Sequence, residues 1–341
     1  MLKNKGIKRF MIGCMVLFGL AFLVACDDNA SGDDAVGNGD TLYFLPINDT
    51  GAYWSVMLAG AQAEAYEQGF NLVHRVSPRD HPQRNEQQVG FVREAIAENA
   101  AAMAIAPIDP DMLDRVVQEA ADAGIPVVTF DADVTTTANR MSYVGTDNVV
   151  AGQDLGRRAA EYLLANDVTE GSVQVVLTFL TQTTMVFRQE GILQGFEEVM
   201  GENAANFTWL EPIQDEGQSQ VSMSQLESRI VANPDLVAVF SLGAEGPTTG
   251  TIEALRSQGM GGIIPHFGFD YTETWLTGVD DGLVTGIVNQ DAFEIGRQVV
   301  RTMIDIVEGR SVNEVYPIPV TWVYADEIEE LGRLIQERMG E

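Results

Sequence analysis

Seven short segments gather carboxylates, amides, hydroxyls, two arginines and large aromatic rings: "NDTGAYW" (48–54), "PIDPD" (107–111), "DADVTTTANR" (131–140), "TQTTMVFR" (181–188), "GAEGPT" (243–248), "DYTETW" (270–275) and "NQD" (289–291). This inventory suits the capture of a polyhydroxylated molecule. Carboxylates and amides pair with hydroxyls, arginine supplies forked donors, and flat rings cover C–H faces. It suits bond cleavage less well. Asp131 and Asp133 are two neighbouring acids, as a glycosidase requires, but nothing beside them supplies a water-activating arrangement.

Other chemistries are poorly served. His74, His81 and His266 are scattered without metal-ligand spacing, and "DPD" (109–111) lacks the remaining ligands of a calcium loop. "GMGGII" (259–264) follows a helical pattern and precedes a strand, the wrong order for a dinucleotide loop, and no lysine follows residue 8 to serve a phosphate loop. No cofactor, metal or catalytic residue is expected. The formal net charge is −30, and from Cys26 onward 16 arginines face 50 acids, 16 − 50 = −34. Such a surface repels polyanions, which argues against nucleic acid as a partner.

The elements that must position these segments are legible from hydrophobic spacing. "TLYFLPI" reads as a strand, "AYWSVMLAGAQAEAYEQG" as a helix, "FNLVHRV" as a strand and "QRNEQQVGFVREAIAENA" as a helix. Strand "AAMAIAP", helix "PDMLDRVVQEAADAG" and strand "IPVVTFD" follow. After "MSYVGTDN" the alternation restarts and runs through "SVQVVLTF", "NFTWLEPI", "LVAVFSL", "IIPHFGF" and "LVTGIV", then a long helix, "DAFEIGRQVVRTMIDIVEG", and a strand-like "YPIPVTWVY". Alternating β and α implies parallel sheets covered by helices, and two such runs exceed one open sheet, so the fold class is α/β with two doubly wound lobes. In open parallel sheets ligands sit beyond the carboxyl ends of the strands, where the seven segments lie, and a cleft between lobes would gather them around one ligand.

The N-terminus addresses location. "MLKNKGIKRF" carries four basic residues and no acid, and "MIGCMVLFGLAFLVA" is an apolar run of 15 residues, short for a transmembrane helix and laid out like a signal peptide. Leu23-Val24-Ala25-Cys26 resembles a bacterial lipobox, which would make Cys26 the lipidated first residue of the processed chain. Cys14 would leave with the signal, so no disulfide is expected. Residues 26–40 read as a lipid-anchored flexible tether, and the body is expected outside the cytoplasm, held to the membrane only through that lipid.

The aromatic pair before Gly60-Ala61-Gln62, with "GIPVVTFDAD", "YVGTDNVVAG", "RQEGILQGF", "IEALRSQG", "FGFD" and "GLVTGIVNQD", resembles the ribose-type periplasmic sugar-binding proteins, whose fold is shared by the ligand domain of lactose-repressor-like regulators. The resemblance spans roughly residues 41–324. It implies a sugar sandwiched by Tyr53 and Trp54 and bound by Asp131, Asp270, Gln290 and Arg188. Departures from the family pattern include Ala132 in place of an arginine, with Asp133 next, Gly51 and Ala106 in place of asparagines, and "SLGAEGPTTG", which offers Glu245. A site holding Asp131, Asp133, Glu245 and Asp270 favours a neutral polyol or a positively charged ligand. The plainer alternatives are core packing for Tyr53 and Trp54, turn or helix capping for the aspartates, and a structural ion pair for Arg188.

The resemblance further implies lobes that close on the ligand about hinges near Thr146, Asp147 and Asn148, near Asn289 and Asp291, and near Val320. The expected organisation is a signal peptide at 1–25, the tether at 26–40, an N-terminal lobe at 41–146 plus 291–319, and a C-terminal lobe at 147–290 plus 320–341. The expected function is that of a monomeric solute-binding protein that hands a monosaccharide or related polyol to the transmembrane subunits of an ABC permease. The alternatives are a receptor presenting a sugar or autoinducer to a membrane sensor kinase, and an exported glycosidase.

Overall fold

The computed structural model describes residues 41–48, 51–79, 81–243 and 245–339. The signal segment, Cys26 and the tether lie outside the described residues.

Six parallel strands form the first sheet. They are β1 (Thr41–Leu45), β2 (Asn71–His74), β3 (Ala102–Ile105), β4 (Val127–Phe130), β5 (Ser142–Gly145) and, from much later in the chain, β12 (Val315–Pro317), in the order β12-β5-β4-β3-β1-β2. Side chains alternate across the pleat, and in the inner strands β1, β3 and β4 both faces are buried. Leu42 and Phe44 pack beneath helices α1 (Ala52–Gln68) and α9 (Ala292–Val307). Tyr43 and Leu45 face helices α2 (Arg84–Ala97) and α3 (Pro110–Asp122) on the opposite side. This is the N-lobe.

The C-lobe sheet contains β6 (Gly171–Leu177), β7 (Phe207–Trp209), β8 (Ile213–Gln214), β9 (Leu236–Ser241), β10 (His266–Phe269), β11 (Gly286–Gln290) and β13 (Val320–Tyr324). Its order is β13-β11-β10-β9-β6-β7, with β8 also on β6, and only β13 runs antiparallel. Helices α4 (Asn148–Ala165) and α5 (Thr183–Met200) cover one face. Helices α6 (Ser219–Ala232), α7 (Gly246–Ser257), α8 (Glu273–Val279) and α10 (Ile328–Met339) cover the other.

Close helix pairs set where the site residues start. A Cβ at Gly60 of α1 would run into the Phe293 carbonyl of α9, and one at Gly152 of α4 into the Arg188 carbonyl of α5. Glycine lets these backbones touch, and the helices so fixed carry Tyr53, Asn148 and Arg188.

The chain passes between the sheets three times: from β5 to α4 through Thr146 and Asp147, from β11 to α9 through Asp291, and from β12 to β13 through Ile318 and Pro319. Two of these passages are anchored by helix caps. Asp147 accepts hydrogen bonds from Val149 N and Val150 N at 3.1 Å each, and Asp291 accepts one from Glu294 N at 3.1 Å. No helix among the described residues is long and apolar enough to cross a membrane.

Two apolar segments are not the single strands their hydrophobicity predicts. "NFTWLEPI" breaks into β7 and β8 ahead of Pro212, and "YPIPVTWVY" breaks at Ile318-Pro319 into strands of different sheets. Proline lacks the N–H a continuous ladder needs.

Candidate functional site

A chamber of about 1020 Å³ opens at the carboxyl ends of both sheets, lined among others by Tyr53, Trp54, Asp131, Asp133, Arg188, Glu245 and Asp270. Four of these seven come from the N-lobe and three from the C-lobe.

In the N-lobe, Asp131 follows β4 directly and takes a left-handed backbone conformation, φ 59°. That conformation is uncommon for a residue with a Cβ, and aspartate is among those that tolerate it. The turn is fixed by the Tyr143 hydroxyl, which donates to the Asp131 carbonyl at 3.1 Å. The Tyr53 hydroxyl donates to Asp131 Oδ1 at 2.6 Å. Burial raises the Asp131 carboxyl from 3.8 to about 6; the Tyr53 hydrogen bond and the Arg188 charge oppose the rise, and the Asp270 charge adds to it. Tyr53 is itself held protonated, by burial first and then by the neighbouring carboxylates. Tyr53 and Trp54 meet edge to face with centroids 5.2 Å apart, half-buried against the N-lobe core while still lining the chamber.

In the C-lobe, Asp270 follows β10, also at φ 59°. Its carbonyl accepts from Trp275 Nε1 at 2.9 Å. Its carboxylate accepts from Gln290 N at 3.2 Å and from Gln290 Nε2 at 2.8 Å, with Arg188 Nη2 at 3.8 Å. Burial raises its pKa, and Arg188 and Gln290 pull the other way. Arg188 is buried and well held: Nε donates to Asn148 Oδ1 and Nη1 to the Leu242 carbonyl, each at 2.9 Å, and the guanidinium lies 4.2 Å from the Phe269 ring centroid. Its place in the site comes from that scaffold rather than from an exposed ion pair.

Three sequence-predicted residues have other duties. Asp133 borders the chamber, but Arg140 grips both its oxygens, from Nε at 2.9 and 3.0 Å and from Nη2 at 2.8 Å, while Thr129 Oγ1 and Val134 N also donate to it. With its acceptor capacity so taken, Asp133 braces the loop instead of offering itself to a ligand. Glu245 lies at the mouth, 54% exposed, and pairs with Arg79 of the N-lobe at 3.1 Å. Gln290 stands behind the chamber, positioning Asp270, with its Oε1 3.5 Å from the Tyr53 hydroxyl. Thr146 and Asn148, expected only as hinge residues, line the chamber as well.

Arg79 and Phe179 line the chamber but lie outside the segments and hinges singled out in the sequence, whereas Thr146, Thr272 and Phe187 lie within them. Arg79 follows β2, so the strand-end rule applied to "FNLVHRV" would have found it. Thr146 Oγ1 and Thr272 Oγ1 are buried without a hydrogen-bond partner, and both residues line the chamber. A buried hydroxyl left unpaired is costly, so these are two places for a polar ligand atom. Phe179 and Phe187 also line it. Among the described residues no cluster of three or more His, Cys, Asp or Glu side chains is placed to hold a metal ion.

Two lobes joined by three crossings, with a polar chamber at the carboxyl ends of both sheets, define a two-lobed ligand-binding protein. Residues 42–311 match the periplasmic binding protein domain, and the chain belongs to that family. It is 26% identical over 284 residues to the ribose import binding protein of Escherichia coli (strain K12), covering 83% of this chain and 90% of that protein. The structure is similar to that of an ABC transporter solute-binding protein from Agrobacterium vitis bound with alpha-D-tagatopyranose, with TM-score 0.74 and 24% identity over 86% of this chain and 97% of that one. It is also similar to GanP, a glucose-galactose binding protein from Geobacillus stearothermophilus, with TM-score 0.71 and 21% identity over 84% and 98%. These likenesses bear out the two-lobed α/β fold and the ribose-type resemblance read from the sequence. The relatives are named as binding proteins, not as enzymes.

Proposed function

We propose that this protein is an extracytoplasmic solute-binding protein, anchored by lipid at Cys26, that captures a monosaccharide or related polyol between its lobes and delivers it to an ABC permease. The observation that carries this reading is the paired acids: Asp131 and Asp270, one from each lobe, border one chamber in which, among the described residues, the only buried cation close to both is Arg188. The buried Asp270 and the half-buried Asp131 against one guanidinium leave acceptor capacity that ligand hydroxyls would fill, while Arg188 and the Thr146 and Thr272 hydroxyls supply complementary partners. Ligand gripped by both lobes stabilises the closed arrangement over the open one, with hinges at the three passages, and that closed form is what a permease would read. The ribose import role of the Escherichia coli relative and the sugars bound by the structural neighbours support the ligand class.

The test is a thermal-shift screen of the protein against pentoses, hexoses, polyols, nucleosides and amino acids. A ligand at a thousandfold excess over Kd stabilises the folded state by about 4 kcal/mol, a readily detected rise in Tm. A rise confined to sugars and polyols is expected; silence there with a hit among the amino acids would overturn the reading.

A further inference from the structure

The chamber is larger than one sugar ring needs. Its volume of about 1020 Å³ lies at the top of the range, roughly 300–1,000 Å³, that encloses drug-sized ligands. The lobes touch at one point of the mouth. Arg79 of the N-lobe and Glu245 of the C-lobe already meet at 3.1 Å across the mouth, and a Cβ on Gly51, at φ 88°, would stand 3.1 Å from Glu245 Oε1. The space is that of a chamber bridged at its rim.

Its walls are also of two kinds. The carboxylates, Arg188 and the unpaired threonine hydroxyls can satisfy one polar ring. Elsewhere in the lining, Phe179 and Phe187 leave 41% and 43% of their surface open to water. Phe179 follows β6 and Phe187 directly precedes Arg188 in α5, so two apolar rings from neighbouring segments face the same ligand space. Single exposed apolar residues are unremarkable, but two bordering one polar chamber are surface that a bound molecule would cover favourably.

We infer that the ligand is a sugar carrying a further group, either a second sugar ring or an aglycone, whose C–H or aromatic face rests on Phe179 and Phe187. This inference depends on the sugar-binding reading above and adds the size and amphipathic character of the ligand to it.

Isothermal titration of the full-length chain in detergent micelles tests it with matched probes: D-glucose, D-galactose and D-xylose against cellobiose, lactose, xylobiose and the corresponding p-nitrophenyl glycosides. At least one extended probe is expected to bind roughly tenfold more tightly than its parent sugar, the gain from covering one aromatic face. Phe187→Ala or Phe179→Ala, each checked for folding by circular dichroism, should draw that ratio back toward one. If free sugars bind and no extended probe binds more tightly, the inference fails and the sugar-binding reading stands. If the preference survives both phenylalanine replacements, the placement on these rings is overturned. If neither class of sugar binds, both fail together.

Discussion

Asp131 in the N-lobe and Asp270 in the C-lobe are built alike and compensated differently. Each follows a buried parallel strand, each adopts φ 59°, and each has its carbonyl fixed by an aromatic side-chain donor, the Tyr143 hydroxyl in one lobe and Trp275 Nε1 in the other. The carboxylates part company there. Asp270 has two hydrogen bonds from Gln290 and an arginine at 3.8 Å; Asp131 has the hydroxyl of Tyr53. The C-lobe acid is part of a preassembled network, whereas the N-lobe acid keeps capacity for an incoming donor. A two-lobed site can thus be rigid on one side and receptive on the other.

The sharpest way to break this contrast is Asp270→Ala. Removing the acid takes away one of the two carboxylates near the buried Arg188 and the acceptor of both Gln290 donors, so Tm should fall and titration with the sugar found in the screen should show Kd weakened by about a hundredfold or more. Asp131→Asn keeps the shape and removes only the charge, and an affinity loss of about tenfold at pH 7.5 is expected, since hydrogen bonds to charged groups are worth about 1.5–3 kcal/mol. A larger loss at Asp131 than at Asp270 would reverse the contrast.

The same pair predicts a pH dependence. The Asp131 carboxyl is raised to about 6 in the folded protein, so its contribution to stability is fully present below pH 3.8 and is lost as pH rises through about 6. Ligand affinity runs the other way, because hydroxyl donors need the carboxylate. Binding measured from pH 7.5 to 5 should weaken below about pH 6, and Asp131→Asn should flatten that profile. Tyr53→Phe is a finer probe: it should weaken binding by about fivefold, near 1 kcal/mol for one hydrogen bond, and move the midpoint upward, because the Tyr53 bond holds the Asp131 pKa down. A midpoint that stays put would detach Tyr53 from the carboxylate.

The smallest effect belongs to the rim. Glu245→Ala removes an ion pair whose partners are both substantially exposed, and such pairs contribute about 0.2–1 kcal/mol. Kd should weaken less than about fivefold, and less at high salt than at low. A loss as large as that of Asp131→Asn would move Glu245 from the rim into the ligand's own contacts.

Much of the fold was legible because strands buried on both faces give unbroken apolar runs, and the helices between them keep their own spacing. The site was legible in part. The strand-end rule located Asp131, Asp270 and Arg188, yet aspartates in similar local settings do different work. Asp109 and Asp147 cap helices, Asp133 is clasped by Arg140, and only tertiary packing separates them from Asp131 and Asp270, the two that keep acceptor capacity toward the chamber. The Arg79–Glu245 bridge joins residues far apart in sequence and on different lobes, and no periodicity registers such a pair. Phe179 and Phe187 sit in and just after a loop, where an apolar residue carries no signal of which surface it covers.

The three crossings also govern the order in which the molecule can assemble. The N-lobe core is completed by Ile295, Val299, Val300, Met303 and Ile304 of α9, and its sheet gains β12 only at residues 315–317. A ribosome has made nine-tenths of the chain before the first lobe has all its parts. Until then β1 to β5 lack one of the two helices that cover one of their faces, and part of that apolar face stays open to solvent or to chaperones. Folding of the N-lobe therefore waits until residues 315–317 have been made, and the polypeptide before them remains threadable until then.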